Sequence, residues 1–419
     1  MRIGAFSQPL LVTTCASRLA WGWHCWSKSP LYTAELQTSL DGLKEYASCV
    51  EELGSRDAKA HVEKETRGYA PWTHAPVCTR TLQSINDTLC VYTDASFADN
   101  RGISIFTTRK LAQEFASLPA FRDPLALKPE AINEDTHAYH TTSIAEKGIG
   151  MLASRPLKFG DRVTAYTPAF VAYLESELST LDREALWRTA IEQLPVHLKD
   201  KFLNLATVYG DPRVKVQDVV KANTFQVMIG GVNHLAVWPE TSRLNHACAP
   251  NAQYVIDTEL LTHVVRVTRP ISKGEEITIS YTSPLEPTET RQQHLESGFH
   301  FTCTCRRCTS ADTNTKLSEM SGLQSQLNDW SPSSAGSPEM AEHLLTLYEE
   351  EGLEGFMDMA YGFAALAYSA VGDANMAMLY AEKAKEAILM KDGKWTRNLA
   401  IWDSLMEDLQ EHWSWRRRL

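Results

Sequence analysis

The chain divides by the pattern of its hydrophobic positions. Residues 1–68 show little periodicity and read as an irregular N-terminal extension. Regularity begins after Tyr69. Leu89–Tyr92 and 102–106 are apolar runs of strand length, and Arg109–Leu118 carries helical spacing. This 69–135 region is expected to flank and cover the core that follows. Pro168–Thr207 reads as mostly helical, because Leu174, Leu178 and Leu181, then Leu186, Ile191 and Leu194, recur at helical intervals. It belongs to an inserted stretch of about 168–225. Strands return at 253–257, 262–267 and 276–281. Side chains alternate along a strand, so Ile277, Ile279 and Tyr281 share one face.

The stretch 309–338 is rich in Ser, Thr, Asn, Asp and Gly and reads as a linker. Beyond it, 339–419 is helical. Ala360, Phe363, Ala364 and Ala367, then Gly372, then Ala377, Ala381 and Ala384 predict two antiparallel helices meeting through small residues. That hairpin resembles one tetratricopeptide unit, and one unit does not make a solenoid.

Composition adds bounds. A chain of 419 residues exceeds one ordinary core, and 43% hydrophobic with 22% charged residues fits a folded globular protein of two or three domains. A net charge of −11 argues against a surface for nucleic acid phosphates and suits a groove that attracts a lysine-rich peptide. No direct nucleic acid or membrane partner is expected, since no run approaches the ~20 apolar residues of a membrane span. Arg416, Arg417 and Arg418 read as a solvated tail. The start, Met1-Arg2 followed by apolar residues to Cys15, is either a disordered tail or a secretory signal. Ser7, Gln8 and Pro9 interrupt it.

Candidate chemistry lies in four places. Gly148-x-Gly150-x-x-Ala153 has Rossmann-like spacing. Pro156 and Gly160 follow where a long helix should begin, which favours a turn between strands. Asn245-His246-x-Cys248-x-Pro250-Asn251 is polar and turn-prone. Gly274-Glu275-Glu276 leads into the strand ending at Tyr281. Cys303-x-Cys305-x-x-Cys308 packs three thiols into six residues and lacks one soft ligand for a tetrahedral zinc site, which Cys248 can supply. A redox or disulfide role is the competing reading. Of nine cysteines, Cys15, Cys25, Cys49, Cys78 and Cys90 remain. Cys78 and Cys90 are either a disulfide or buried thiols.

These motifs, in this order over roughly 136–308, resemble the SET-domain methyltransferases. The resemblance implies an α+β chain: a β-rich SET fold with pseudoknot and helical insertion at 136–285, a post-SET zinc segment at 286–308, and an all-α C-terminal domain. The architecture is similar to the SET-and-MYND type, without a MYND cluster of Cys and His. The helical domain would then either pack on the core or wall the substrate cleft. The implied cofactors are S-adenosylmethionine (SAM) and a structural Zn2+ on Cys248, Cys303, Cys305 and Cys308. Gly148, Gly150, Asn245, His246, Tyr281 and Phe301 would hold SAM, with Phe301 stacking on adenine and Phe299 in the core. Tyr281 would be the catalytic tyrosine, and Asn251 would lock the crossing through local hydrogen bonds. Phe225 and Tyr254 would line the channel or pack in the core. Arg306 and Arg307 would offset thiolate charge or face solvent. The implied activity is methyl transfer to a protein lysine by a monomer in the nucleus or cytoplasm. Two alternatives are a SET-fold peptide-binding module without turnover and a SAM-dependent enzyme acting on a small molecule.

Overall fold

The computed structural model describes residues 69–123, 125–394 and 396–419. The expected extension 1–68, its signal-like start, and Cys15, Cys25 and Cys49 lie outside the described residues.

A six-stranded sheet runs in the order Val77–Cys78, Cys90–Asp94, Ile103–Thr107, Phe170–Tyr173, Val232–Val237, Thr224–Ile229. Ile103–Thr107 and Phe170–Tyr173 pair parallel, and the other neighbours pair antiparallel. The 69–135 region therefore does not merely flank the core. It supplies three strands to a sheet that the later segment completes, which corrects the expectation of a covering element. Every residue of Cys90–Asp94 and Ile103–Thr107 is buried. Both faces of these strands are covered, so they read as apolar runs instead of alternating. Phe106, Phe170 and Val237 pack on one face with Trp187, Leu198 and Val219 from the helices Thr180–Glu192, Val196–Leu203 and Lys215–Asn223. Tyr92, Ile105 and Ala236 pack on the other with Phe115 of the helix Arg109–Ser117.

The helical reading of 168–207 holds for Thr180–Glu192 and Val196–Leu203 but fails at Leu174 and Leu178, which precede the first helix, and at Phe170–Tyr173, which is a strand. Its four apolar and aromatic residues are central in the sheet, and so short a run does not distinguish strand from helix by periodicity. Cys78 and Cys90 sit opposite each other across two antiparallel strands and are joined as a disulfide.

Two smaller sheets carry the motifs. One has the order Asn245–His246, Glu276–Ile279, Gly148–Ala153, Tyr139–Ile144; the other, Ala252–Asp257, Thr262–Val267, Arg162–Tyr166. Their shared core includes Met151, Val163, Leu244, Val265, Ile277 and Ile279.

The C-terminal region stacks the helices Thr313–Leu327, Pro338–Glu350, Asp358–Ala370, Ala374–Lys391 and Leu399–Glu407. The linker expected at 309–338 is corrected by the first of these. Leu317, Met320 and Leu327 are buried against Leu344, Tyr348 and Ala360, and the Ser, Thr and Asn residues that suggested a linker include much of the helix's outer face. The small-residue hairpin is present as expected. Ala360, Ala364, Ala367, Ala377, Ala381 and Ala384 are buried, and Gly372 at φ +79 makes the turn between the helices. The side chains of Arg416 and Arg417 are exposed, as a solvated tail would have them, but the backbone is pinned and Arg418 is half-buried. Backbone N–H groups of Arg416 and Arg418 donate to the carbonyls of Ser369 and Ala370. The Arg418 guanidinium lies 4.0 Å from the Trp330 ring centroid and donates to the carbonyls of Leu327 and Asp329. Carbonyls at the end of a helix and an aromatic face give a guanidinium more here than solvent does. Among the described residues, no helix is long and apolar enough to cross a membrane.

Candidate functional site

Three distant motifs lie side by side because one strand joins them. Glu276–Ile279 pairs parallel with Asn245–His246 on one edge and antiparallel with Gly148–Ala153 on the other. Parallel pairing of two segments thirty residues apart requires the chain to cross over, and Asn251 fixes that crossing. Its side chain is 1% exposed; Nδ2 donates to the Glu276 carbonyl at 2.8 Å, and Oδ1 accepts from the Thr278 N–H at 2.9 Å. The bonds expected of Asn251 were local. They instead reach a strand about 25 residues away, because the crossing leaves those backbone groups unpaired.

Gly148 begins its strand at φ +77, directly after the hairpin turn, so the Gly-x-Gly segment opens a strand and not a phosphate-binding helix. Gly150 has a different reason to lack a side chain. A Cβ there would collide with the Ile144 side chain and lie 2.6 Å from Asn245 Nδ2. The same Asn245 amide donates to Glu276 Oε1 at 2.9 Å, while Lys147 Nζ sits 2.7 Å from Glu276 Oε2. Glu276 thus orients both the asparagine and the loop that precedes Gly148. Sequence reasoning quoted Glu276 within a motif and gave it no role.

His246 is buried, and burial pushes its imidazole down to about 4, so it is neutral. Nδ1 accepts the Tyr281 N–H at 2.9 Å, which leaves Nε2 to carry the proton toward Cys248 Sγ at 3.2 Å. The Tyr281 hydroxyl donates to the Leu244 carbonyl at 2.5 Å, and burial raises its pKa further above the ordinary phenol range. Its ring packs 4.8 Å from Phe299 and 5.4 Å from His246. Phe301 lies 6.0 Å from His246 and remains 36% exposed, an aromatic ring next to the crossing that the protein leaves partly open. Phe299 is therefore part of the ring cluster around Tyr281. Phe225 and Tyr254, half-buried, pack on the buried Trp238 and His263, with Tyr254 and His263 stacked at 4.7 Å. They read as core.

The four sulfurs of Cys248, Cys303, Cys305 and Cys308 lie within 4.8 Å of one another. A tetrahedral zinc with bonds of about 2.3 Å would separate its sulfurs by roughly 3.8 Å, and Cys248 and Cys308 are 3.5 Å apart. All four thiols are free, so the competing disulfide reading finds no bond here. Their mutual hydrogen bonds drive the thiols apart in acidity. Cys248 and Cys303 are pushed up, while Cys305 is pushed far down by hydrogen bonds from Cys248, Cys303 and Cys308. Four sulfurs this close cannot all ionise without a cation among them.

The surroundings of the cluster fit a metal centre. The Gln292 amide clamps the Cys303 backbone, donating to its carbonyl at 2.7 Å and accepting its N–H at 2.9 Å. Arg291, fully buried, brings Nη2 to 3.9 Å from Cys308 Sγ. Arg307 neither faces solvent nor sits on a sulfur. It donates to the carbonyls of Cys248 and Pro284 and pairs with Glu351 of the C-terminal helices at 2.8 Å. Arg306 is the exposed one, and it donates to the Glu350 carbonyl. Arg291 and Gln292 were missed by sequence reasoning. The signal available was Arg291 and Leu295 at i and i+4, which share the buried face of the helix Thr288–Phe299.

Residues 148–282 match the family model described as the SET domain. The chain is 33% identical over 146 residues to the human "N-lysine methyltransferase SMYD2", covering 34% of this chain and 33% of that protein. It is 31% identical to the Gallus gallus protein of the same name, covering 43% of this chain and 40% of that one. It is 26% identical to the Schizosaccharomyces pombe "Histone-lysine N-methyltransferase set5", covering 62% of this chain and 80% of that protein. The chain thus spans about a fifth to two fifths of the length of the SMYD2 proteins it matches. The crossing, the glycine strand and the tyrosine strand all fall inside the segment that matches the SET domain, and over that segment the chain is similar to proteins of the SET-and-MYND type.

Proposed function

We propose that this protein transfers a methyl group from SAM to a lysine side chain of a protein. The carrying observation is convergence. Gly148–Gly150, Asn245–His246, Tyr281 and Phe301, spread over 150 residues of sequence, meet around one strand beside a partly open aromatic ring. The names of the human and fission-yeast relatives support lysine as the acceptor.

SAM supplies an electrophilic methyl on a sulfonium. The chain's residues do the rest by position. Phe301 offers its face to an aromatic base, the Gly148–Gly150 backbone offers close approach, and the Asn245 amide is held in place by Glu276. Tyr281, half-buried and kept protonated, orients the incoming amine, which must be neutral to attack. Positioning reactants is the main contribution such a site can make to a displacement. Cys248, Cys303, Cys305 and Cys308 hold a structural Zn2+. This fixes the segment bearing Phe299 and Phe301 against the crossing.

The test is label transfer from methyl-labelled SAM to histones, lysate proteins and small-molecule extract, by wild type and Tyr281→Phe. Labelled protein lysine is expected from wild type, with a loss of about a hundredfold in the variant and little change in SAM affinity by calorimetry. SAM binding without any transfer would favour a docking module. Label confined to small molecules would replace the acceptor.

A further inference from the structure

We propose that a tyrosine ladder on two C-terminal helices is a docking site for an arginine-rich peptide segment, a site that stands whether or not the methyl-transfer reading does. Tyr361 and Tyr368 lie seven residues, two helical turns, apart on Asp358–Ala370. Tyr380, from the neighbouring helix Ala374–Lys391, stacks between them. Its ring centroid is 6.2 Å from Tyr361 at 27° and 5.7 Å from Tyr368 at 14°. All three rings are half-buried, although the alanines that join these helices are fully enclosed. Part of the ladder therefore faces solvent.

A cation already sits on it. The ammonium of Lys383 lies 5.5 Å from the Tyr361 centroid and 5.4 Å from that of Tyr380. Lys383 is exposed and forms no ion pair among the described residues, so the ring faces are what hold it. Aromatic faces attract ammonium and, more strongly, planar guanidinium groups.

Carboxylates surround the ladder. Glu342 accepts the Tyr368 hydroxyl at 2.5 Å. Glu349, two turns further along Pro338–Glu350, stands with Glu386 and Glu354 close enough to add to the rise that burial imposes on the Tyr361 phenol. The enclosed Oε2 of Glu354 has no hydrogen-bond partner. Carboxylates therefore border both ends of the ladder, and Glu342, Glu349 and Glu386 among them are exposed. A guanidinium, with five donors and a flat face, suits this arrangement: it stacks on a ring and donates to the exposed carboxylates. Lys383 then acts as a tethered occupant that an incoming arginine displaces.

The test is anisotropy of a fluorescent, arginine-rich, lysine-free peptide with the full chain. Its lack of lysine separates docking from methyl transfer, so Tyr281→Phe should bind it unchanged. Binding is expected to weaken with added salt and to be absent for a glutamate-rich peptide. Lys383→Ala should tighten binding by about two- to fivefold, and Tyr380→Leu or Glu349→Gln with Glu386→Gln should weaken it by at least as much. The glutamates are exposed, so that pair reports even if Tyr380→Leu perturbs folding. Unchanged or weaker binding by Lys383→Ala, indifference to the glutamate pair, or equal binding of the acidic peptide would overturn the proposal.

Discussion

His263 and His246 show how burial alone assigns a role to an imidazole. His246 is neutral and fully used, accepting from the Tyr281 backbone through one nitrogen and facing Cys248 with the other. His263 is equally enclosed among Phe225, Tyr254 and Trp238, and neither of its nitrogens has a hydrogen-bond partner. Burial pushes its pKa down to about 3 from 6.5. A depressed folded-state value means that the unfolded chain binds the proton more readily. The stability held at pH 7 is then lost progressively as pH falls from 6.5 toward 3. At pH 5 this group alone is expected to remove about 2 kcal/mol. His263→Phe should therefore flatten the decline between pH 7 and pH 5 in denaturant titrations, and an unchanged decline would clear His263 of the effect. The sequence shows His263 only as a polar residue within an apolar strand. Its stacking partners come from two other strands and from the turn after Val232–Val237.

The strand Glu276–Ile279 and the thiol segment make up the site at the scale of elements. The strand's apolar alternation was legible, and so were the glycine, asparagine–histidine and tyrosine motifs around it. The parallel crossing was implied only by resemblance, since the Asn251 bonds that fix it join residues far apart in sequence. The thiol segment relies on its sulfurs and on the Gln292 clamp. Cys305→Ser is expected to lower bound zinc from about one per chain toward none, because thiolate coordination supplies much of the folding energy of such segments. Element analysis of purified protein checks the metal, and proteolysis near Phe301 checks the segment. Full zinc occupancy in Cys305→Ser would remove Cys305 from the ligand set. Elements outside the motifs were read less well. Phe170–Tyr173 passed for helix because a four-residue apolar run carries no period. Thr313–Leu327 passed for linker because only one narrow stripe of it is apolar.

For the whole molecule, Arg307 joins the SET core to the helical domain. It is 1% exposed and ties carbonyls of Cys248 and Pro284 to the Glu351 carboxylate across the interface. Arg307→Met would leave that carboxylate and two carbonyls without their donor, and removing one partner of a buried pair costs about 3–5 kcal/mol. The thermal midpoint is expected to fall by several degrees, with the helical domain released earlier in calorimetry. A single unshifted transition would show that the two parts do not depend on this contact. The order of motifs, the zinc-type thiol spacing and the small-residue hairpin were determined by the sequence itself. Each depends on residues close in the chain or on an identity with one chemical use. The structure alone decided that the 69–135 strands complete a sheet with 170–237, that Asn251 and Glu276 hold the crossing, that Arg291 and Arg307 are enclosed, and that Arg418 packs on Trp330. Those outcomes depend on which distant groups burial leaves without partners, and one-dimensional spacing carries no record of that.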